Sequence, residues 1–597
     1  MSKWPRIQKK AAKSKLRVES HKKTVARLQL GLPAEVASQA QSVIELLNKA
    51  RPKSGGDPTE SVEAIVSMAE SITSTFLEAA PVEFGVEVPG VADARRLGGL
   101  SALLVANQVR GVVKYGSGQQ FERLYQSLAV LQRLKYDDNR GDNVLLDQWL
   151  SVELPLMLGV QLAGIKHFRA GAKQAAKTLA EIVAEVVDAD GWPGSSCLSV
   201  FPTIVASWAR SLRMMEKLEL ELGSKVQSQV AWIAEQFVRL HGVGRKPIFA
   251  HEDYDTCDPA LTQLVLEMSD DVDANAVAKA AGLVKPKQKK KPAKKKAAKN
   301  KADKKEIKLP EPSSVSEWSS SGILKSSWKS GSPYVGIDFG SAHNRLEIGA
   351  RDLLISGRCP IKVSDDGEAL DFDSAGFEVV CDLHEDDVSY LELEISAGDL
   401  TVYRQVLLAR DDKFVFLADA VHKKGAGDIA WSMDLPLANG VTVMPENGTR
   451  ELYLYRNGIE SLVLPLALPE WSSERRRESR FEATQTAEGQ HQLSLAHTAQ
   501  LRSDGGALYF PVFIDLDPRR SCQKRTWRQL TVAESLRIVR PEEAAAFRVQ
   551  VDRKQWVFYR ALQRVANRTF MGENFAGDFF AGEFKKSGDV SELLQVQ

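Results

Sequence analysis

The sequence predicts a multidomain α+β protein, with an all-α N-terminal half followed by an antiparallel β half. Three observations predict this class. The chain has 597 residues, whereas a single hydrophobic core rarely grows past roughly 250 to 300 residues. Apolar residues recur about every 3.6 positions as far as Gly282 and at alternate positions after Ser313. Between these two patterns, residues 285–312 are dominated by Lys, Ala and Pro, which is typical of a linker.

Composition excludes several classes of protein. Hydrophobic residues make up 43% of the chain and charged residues 26%, close to the average for globular proteins. No apolar run reaches the roughly 18 residues that a membrane-spanning helix needs. An integral membrane protein, a collagen-like protein and a wholly disordered chain are therefore not expected.

The first 31 residues form a basic N-terminal arm. Ten Lys or Arg stand against the single acid Glu19 up to Arg27. A segment this polar is expected to be an arm or a frayed helix outside the core, with order beginning near Leu32.

Residues 32–284 carry helical stripes of apolar residues. Spacings of three and four line one helix face in the clearest stripe, which consists of Phe168, Ala172, Ala175, Leu179, Ile182, Val183 and Val186. Short Gly/Asp/Pro breaks, such as 188–193, separate the stripes. This pattern predicts consecutive antiparallel helices and not alternating βαβ units.

The Lys-rich segment predicts a disordered linker. Lys285 to Lys308 contains 13 Lys against Asp303 and Glu306, so it cannot bury enough apolar surface to become ordered. Such a segment can hold polyanions without sequence specificity through counterion release. A tether to an acidic envelope surface or to the protein's own polyanionic substrate, and a plain soluble spacer, remain alternatives.

Residues 313–597 carry the signals of short strands. Leu391, Leu393 and Ile395 alternate with glutamates, and two apolar runs flank the turn 410–413. Asn457-Gly458 between two further apolar runs is a strong hairpin signal. Many short strands with turn punctuation predict an antiparallel sandwich.

Local motifs resemble one family. The stretch Trp318–Trp328, running into Tyr334–Gly340, resembles the opening of the C-terminal β domain in heparinase II/III-like proteins. Residues 403–419 resemble a hairpin of the same family, with Arg404 and Asp419 in the matching places. Asp190-Gly191, followed by a Ser-containing loop and a long helix, is similar to a segment of the family's helical half.

The resemblance implies an (α/α) toroid over 32–284 joined to a multilayered β-sandwich over 313–597, with acidic polysaccharide as the partner. Members of this family are lyases that cut glycosidic bonds to uronic acids by β-elimination. This reaction needs a group that neutralises the uronate carboxylate, a base for the C5 proton and an acid for the departing 4-oxygen. In the family, Asn or Gln and a His usually serve the first task, and a Tyr, sometimes with His, serves the other two.

The sequence departs from the family at four points. Phe201 stands where the family has its tyrosine, and the family's Glu is missing from Asp190–Ser196. Only His343 answers to the histidines of the family's β-domain motif, and the Asp that follows them in the family is absent. The chain is therefore either a lyase with relocated catalytic groups or a pseudoenzyme that binds carbohydrate or serves as a scaffold.

Five residues are candidates for substrate binding. Asn139 or Asn143 could neutralise a carboxylate and Arg140 could form a bidentate pair with it, although Asx residues before a helix are usually caps. Trp192 could stack on a sugar ring or belong to the core. Arg404 could face the substrate or pair across the sheet with Asp419 or a glutamate.

Three residues are candidates for proton transfer. His343 has the support of the family motif, and a polar strand end is its ordinary explanation. His251 or Tyr254 could replace the base missing at Phe201, although loop His and Tyr residues are mostly ordinary surface groups.

No cofactor or metal is expected. Phosphate-loop, dinucleotide, zinc-protease and serine-hydrolase motifs are absent from the sequence, and the five cysteines have no metal-ligand spacing. An odd number of cysteines argues against a disulfide framework. No apolar segment typical of a signal peptide follows the basic N-terminus, so a cytoplasmic location is expected, with the periplasm or cell envelope of related lyases as the alternative.

Overall fold

The computed structural model describes residues 4–12, 20–49, 58–78, 91–134, 141–250, 254, 256–269, 272–284, 309–341, 344–372, 376–474, 478–486, 489–585 and 589–597. The chain divides into two compact units. The helical unit comprises Met1–His241 and Arg245–Leu309, and the β unit comprises Gly242–Gly244 and Pro310–Gln597. The predicted class, an all-α N-terminal region followed by antiparallel β-sheets, is confirmed.

Helices account for the regular structure of the first unit. In chain order they are α1 Trp4–Ala12, α2 His21–Leu28, α3 Ala34–Lys49, α4 Pro58–Glu78, α5 Val91–Ala106, α6 Val109–Tyr115, α7 Gly118–Leu131, α8 Gly141–Asp147, α9 Leu154–Gln161, α10 Lys166–Val186, α11 Phe201–Lys217, α12 Ser224–Arg239, α13 Pro259–Leu266 and α14 Val272–Ala280. A π-helical turn, Gln148–Glu153, joins α8 to α9, and 3₁₀ turns occupy Ser195–Val200 and Val243–Arg245.

Local sequence explains where these helices begin. At the start of α7, the Ser117 hydroxyl accepts from the Gln120 backbone N–H at 3.2 Å, and the Gln120 side chain accepts from the Ser117 backbone N–H at 3.0 Å. Asp258 caps α13, ahead of Pro259, by accepting from the Ala260 backbone N–H at 2.7 Å. Every member of the apolar stripe predicted in α10 is buried except the half-buried Ile182.

The basic arm is folded where the structure describes it. Trp4 packs on Phe121 of α7, with ring centroids 5.2 Å apart, and Ala11, Val25 and Leu28 are buried. The expectation that order begins near Leu32 is wrong, because the apolar residues of the described helices share helix faces while the described lysines of the arm are exposed. Of the predicted disordered linker 285–312, residues 285–308 lie outside the described residues, so their disorder stays a prediction. Residues 309–312 are described, and the expectation of disorder is wrong there, because Glu311 pairs with Arg410 at 2.6 Å.

The β unit is built from antiparallel strands. They are β1 Ser314–Ser316, β2 Ser321–Lys325, β3 Tyr334–Asp338, β4 Arg345–Ala350, β5 Asp352–Arg358, β6 Ile361–Asp365, β7 Glu368–Ala369, β8 Glu378–His384, β9 Val388–Ala397, β10 Leu400–Ala409, β11 Phe414–Lys423, β12 Gly427–Pro436, β13 Thr442–Pro445, β14 Leu452–Arg456, β15 Ile459–Pro465, β16 Ser479–Gln485, β17 His491–Leu501, β18 Gly506–Asp515, β19 Arg525–Leu530, β20 Ala533–Glu534, β21 Arg537–Ile538, β22 Ala544–Val551, β23 Lys554–Ala561, β24 Arg568–Phe570, β25 Glu573–Phe575, β26 Phe579–Phe584 and β27 Val590–Val596.

These strands form five sheets. The largest has eight strands in the order β13-β14-β15-β18-β11-β10-β9-β8. The others are β1 to β5 in sequence, β16-β17-β12-β6-β7, β19-β22-β23-β26-β27 and β21-β20-β24-β25. The predicted hairpin at Asn457-Gly458 is confirmed: both residues have positive φ, 49° and 79°, and Arg456 pairs with Ile459.

The eight-stranded sheet is the central layer of this unit, because both of its faces are buried. On β10, Val406 and Leu408 belong to one hydrophobic core, which the β1–β5 and β12-containing sheets complete. Leu407 faces a second core, shared with the β22–β23–β26 sheet. Glu392 of β9 also lies on that second side, where Arg560 pairs with it at 2.5 Å.

Candidate functional site

A tight loop after α10 carries the Asp-Gly segment that the sequence singled out. The Asp188 carboxylate accepts from the backbone N–H groups of Asp190 and Trp192, each at 2.9 Å. Gly191 has φ +78° and lies directly against α12, where a Cβ would come within 2.6 Å of the backbone of Trp232. Only glycine fits this position, since both the conformation and the space exclude a side chain.

A pocket in the helical unit, which we name the α8 pocket, includes Gly194, the residue directly after this loop. Its volume is ≈ 70 Å³. It is lined by the start of α8, the end of α10 and the 3₁₀ turn, through Val144, Asp147, Ile182, Glu185, Val186, Gly194, Ser196 and Cys197.

Asn143 stands beside the α8 pocket. It lies in the first turn of α8, four residues before the lining residue Asp147, so both side chains share one face of the helix. The Asn143 side chain is half-buried. Its carboxamide can donate a hydrogen bond to a carboxylate, whereas Asp147 and Glu185 bring negative charge to the same pocket.

Tyr254 is buried and its hydroxyl is engaged. It shares a short hydrogen bond with the Thr203 hydroxyl, and the Thr203 hydroxyl also donates to the Gly31 carbonyl. The Tyr254 hydroxyl is therefore the donor to the Thr203 oxygen, because the Thr203 proton is already used in the bond to Gly31. Phe201, two residues before Thr203 on α11, is buried too.

The two tryptophans near the loop differ in exposure. Trp192 is only 1% exposed, so it is a core residue, which was the alternative prediction. The expectation that Trp192 stacks on a sugar ring is wrong. The tight Asp188 turn folds its side chain inward. Trp232, on the neighbouring α12, is 47% exposed. Sequence reasoning missed it, although it falls off the buried stripe formed by Val230 and Ile233.

Arg404 is committed to the interior of the β unit. It is 1% exposed, and its Nε and Nη2 atoms donate to the two carboxylate oxygens of Asp419, each at 2.8 Å. The two residues face each other in the β10–β11 register. Arg404 therefore forms the cross-sheet ion pair with Asp419 that was the alternative prediction. The expectation that its guanidinium faces the substrate is wrong, because no solvent reaches the guanidinium.

The Arg404 pair extends toward the predicted histidine motif. Nη1 of Arg404 donates to the Asn344 side-chain oxygen at 2.5 Å, and the Trp431 indole donates to Asp419 at 3.1 Å. The Asn344 carbonyl accepts from the Cys359 backbone N–H at 2.6 Å. Asn344 is thus held through both its side chain and its backbone.

Four candidates lie outside the described residues: Asn139, Arg140, His251 and His343. Their roles stay predictions. Asp338 ends β3 near the His343 segment, and burial raises the pKa of its carboxyl from 3.8 to about 6, against the opposing effect of the Gly340 backbone N–H and two arginines.

A second polar cluster in the helical unit was not predicted. Glu153, at the end of the π-helical turn, is fully buried and accepts from Arg210 Nε at 2.6 Å and from Ser207 at 2.5 Å. Arg210 also donates to the Arg27 carbonyl at 3.1 Å, which fixes α2 on α11. A charged residue between Val152 and Leu154 was the available signal, because a carboxylate in an apolar run needs a partner.

Within the described ranges, no group of three or more His, Cys, Asp or Glu side chains is placed to hold a metal ion. No described helix has both the length and the apolar composition needed to cross a bilayer. All five cysteines are free thiols.

The fold is that of polysaccharide lyases with a helical N-terminal half and an antiparallel β C-terminal half. A crystal structure of heparinase III is similar over 85% of this chain and 80% of its own, with a TM-score of 0.56 and 12% sequence identity. A second heparinase III is similar over 84% of both chains, with a TM-score of 0.54 and 10% identity. A mutant of a heparan sulfate lyase from Pedobacter heparinus covers 85% of this chain and 82% of its own, with a TM-score of 0.50 and 11% identity. Neither a family model nor a curated protein matches the sequence.

Proposed function

We propose that this protein is a polysaccharide lyase that cleaves uronic-acid-containing polysaccharide by β-elimination. The fold shared with heparinase III over most of both chains carries the proposal. The family-like motifs at Asp190-Gly191 and Tyr334–Gly340 support it, because both lie in the elements where the resemblance places them.

The reaction breaks the C5–H and C4–O bonds of the uronate linkage and needs two proton transfers. A base removes the proton from C5 of the uronate, and the electron pair forms a C4–C5 double bond as the C4–O bond breaks. The departing oxygen takes a proton from an acid. Neutralising the uronate carboxylate lowers the cost of the negative charge that develops next to it at C5.

Residues of this chain are assigned to these tasks. Asn143 or Asn139, with Arg140, neutralises the carboxylate. His343 is the first candidate for proton transfer, with His251 and Tyr254 as alternatives. Tyr254 is the weakest of these, because its hydroxyl already donates to Thr203. The exposed Trp232 is assigned the sugar-stacking role that was expected of Trp192.

An absorbance assay for unsaturated uronate product tests the proposal. Purified protein is incubated with heparan sulfate, chondroitin sulfate, alginate and pectic polymers. We expect absorbance to rise with one of them and the rise to be lost in His343→Ala. His491→Ala, an exposed strand histidine of the same unit, is the matched control and should keep full activity. No product from any polymer would reject the lyase.

A second candidate function is a catalytically inactive protein that binds carbohydrate or acts as a scaffold. Phe201 favours it, because a phenyl ring cannot donate or accept the proton that the family's tyrosine handles. Measurable binding of one polymer without product, unchanged in His343→Ala, would identify this function.

A further inference from the structure

The described part of the helical unit carries an exposed basic surface where α1 meets α6 and α10. Six cations belong to it, and we name them together the α1 cation surface: Arg6, Lys9, Lys10, Lys114, Lys166 and Arg169. All six side chains are exposed. None of them forms an ion pair with any residue in the described ranges.

Packing holds these cations in fixed positions. Gln8 of α1 donates to the Val113 carbonyl of α6 at 3.0 Å. The backbone of Gly164, just before α10, lies directly against the Lys10 carbonyl and leaves no room for a side chain. Lys10 therefore stands next to the start of α10.

An aromatic row links the same helices underneath. Trp4 contacts Phe121, Phe121 stacks on Tyr125 with centroids 6.3 Å apart, and Tyr125 meets Phe168 of α10 at 5.4 Å. The lysines and arginines of α1 are thus displayed on an anchored helix and not on a free tail.

Acidic partners are missing from these segments. Residues 4–12, 109–115 and 162–177 contain no Asp or Glu. The adjoining α7 carries Glu122 and Arg123, and Arg123 is already paired with Glu63 and Glu70. The surface therefore keeps a positive potential that favours a negatively charged partner.

The cations at the start of α10 do not stabilise that helix. Positive charges in the first turn of a helix oppose the helix dipole, which favours negative charge there. Lys166 and Arg169 occupy this end of α10, and its cap residue Ile165 offers no side-chain acceptor. A bound anionic polymer would relieve the repulsion among these groups.

We infer that the α1 cation surface is a binding surface for a linear acidic polysaccharide, outside the groups proposed for cleavage. The choice of polysaccharide as the polymer rests on the proposed function, whereas the surface itself does not. Contacts to sulfate and carboxylate groups at several points along the polymer would hold it through released counterions, so that binding weakens as salt rises.

Charge reversal in the full-length protein tests this inference. The surface variant combines Lys10→Glu, Lys166→Glu and Arg169→Glu. The control variant combines Lys225→Glu, Lys279→Glu and Lys329→Glu, three exposed lysines elsewhere that make the same change in net charge. Binding of fluorescein-labelled heparan sulfate is measured by anisotropy at several salt concentrations, with circular dichroism to confirm folding.

We expect the surface variant to bind at least about tenfold more weakly, with a shallower salt dependence, and the control to stay within about twofold. Equal losses in both variants, or no loss in the surface variant, would overturn the inference. Labelled duplex DNA that binds more tightly than the polysaccharide, and depends on the same residues, would overturn the assigned polymer.

Product formation separates this inference from the proposed function. Binding that depends on the surface, without any unsaturated product, would leave the surface standing and reject the lyase. Cleavage by a surface variant that still binds tightly would leave the lyase standing and reject the surface.

Discussion

Arg404 and Asn344 are joined by a hydrogen bond of 2.5 Å from Nη1 of the arginine to the side-chain oxygen of the asparagine. The same guanidinium is held by Asp419 on its other side. Asn344 directly follows His343 in the chain, so the buried ion pair fixes the residue next to the proposed proton-transfer group. This makes Arg404 a positioning residue in the proposed lyase.

Removing the Asn344 side chain should impair turnover more than stability. In Asn344→Ala, Arg404 keeps Asp419 and the more distant Cys359 carbonyl at 3.4 Å, so we expect a loss of about 1–2 kcal/mol in the free energy of unfolding. The backbone next to His343 loses one of its two anchors, and kcat should fall by roughly tenfold with KM little changed. Steady-state kinetics on the active polymer and urea unfolding measure the two effects.

Asn447→Ala serves as the control for this change, since Asn447 lies in an exposed turn of the same unit. It should alter neither kcat nor stability. A kcat for Asn344→Ala equal to that of the wild type would show that Asn344 has a structural role alone.

The two tryptophans beside the Asp188 loop should respond in opposite ways. Trp192→Ala leaves a cavity in the helical unit, so we expect it to lose about 3–5 kcal/mol of stability. Trp232→Ala removes an exposed ring and should change stability by less than about 1 kcal/mol, while polysaccharide affinity falls roughly three- to tenfold. Thermal unfolding and anisotropy titration measure these effects. Unchanged affinity in Trp232→Ala would remove it from the binding site.

Asp338 should make the stability of the β unit depend on pH between about 4 and 6. Its pKa is raised from 3.8 to about 6 by burial, so the folded state binds a proton that the unfolded chain has already released in this range. The contribution of Asp338 is therefore most favourable below about pH 4 and is lost as pH rises through about 6.

Asp338→Asn should remove this dependence. The amide stays neutral and its oxygen can still accept from the Gly340 backbone N–H. Relative to the wild type, the variant should gain on the order of 1–3 kcal/mol in the free energy of unfolding at pH 7.5 compared with pH 4. Urea unfolding at both pH values measures the difference, and Asp411→Asn, in the exposed β10–β11 turn, controls for the loss of one charge. An equal effect of Asp338→Asn at the two pH values would contradict the assignment.

Elements with a local cause could be predicted from the sequence. The α10 stripe, the 410–413 turn and the hairpin at Asn457-Gly458 each depend on a few neighbouring residues, and each is found as predicted. The family resemblance implies a multilayered sandwich, but the contacts that build the third layer of the β unit could not be predicted from local patterns. One contact of this layer is the ion pair between Glu392 and Arg560, which are 168 residues apart in the chain. A local sequence pattern does not indicate such a distant contact.

The candidate site was predicted less well for the same reason. The sequence left open whether Trp192, in a Gly/Pro loop, stacks on a sugar or belongs to the core. The turn in which the Asp188 carboxylate accepts from the Trp192 backbone N–H folds the side chain inward. From the sequence, Arg404 could equally bind substrate or pair with an acidic residue across the sheet. The β10–β11 register places it opposite Asp419 and so decides for the ion pair. Burial of polar groups depends on what packs over them, which the sequence near each residue does not contain.

Gly164 should control whether α1 stays in place. In Gly164→Ala the new methyl group would collide with the Lys10 carbonyl, so α1 must shift or detach. We expect faster hydrogen exchange in residues 4–12 and weaker binding of heparan sulfate, because Lys9 and Lys10 lose their fixed positions. Gly171→Ala is the matched control: Gly171 lies on α10 in open space, and alanine there should stabilise the helix by up to about 1 kcal/mol without affecting α1. Identical exchange of α1 in both variants would contradict the packing of the arm against α10, and with it the rigid display of the α1 cation surface.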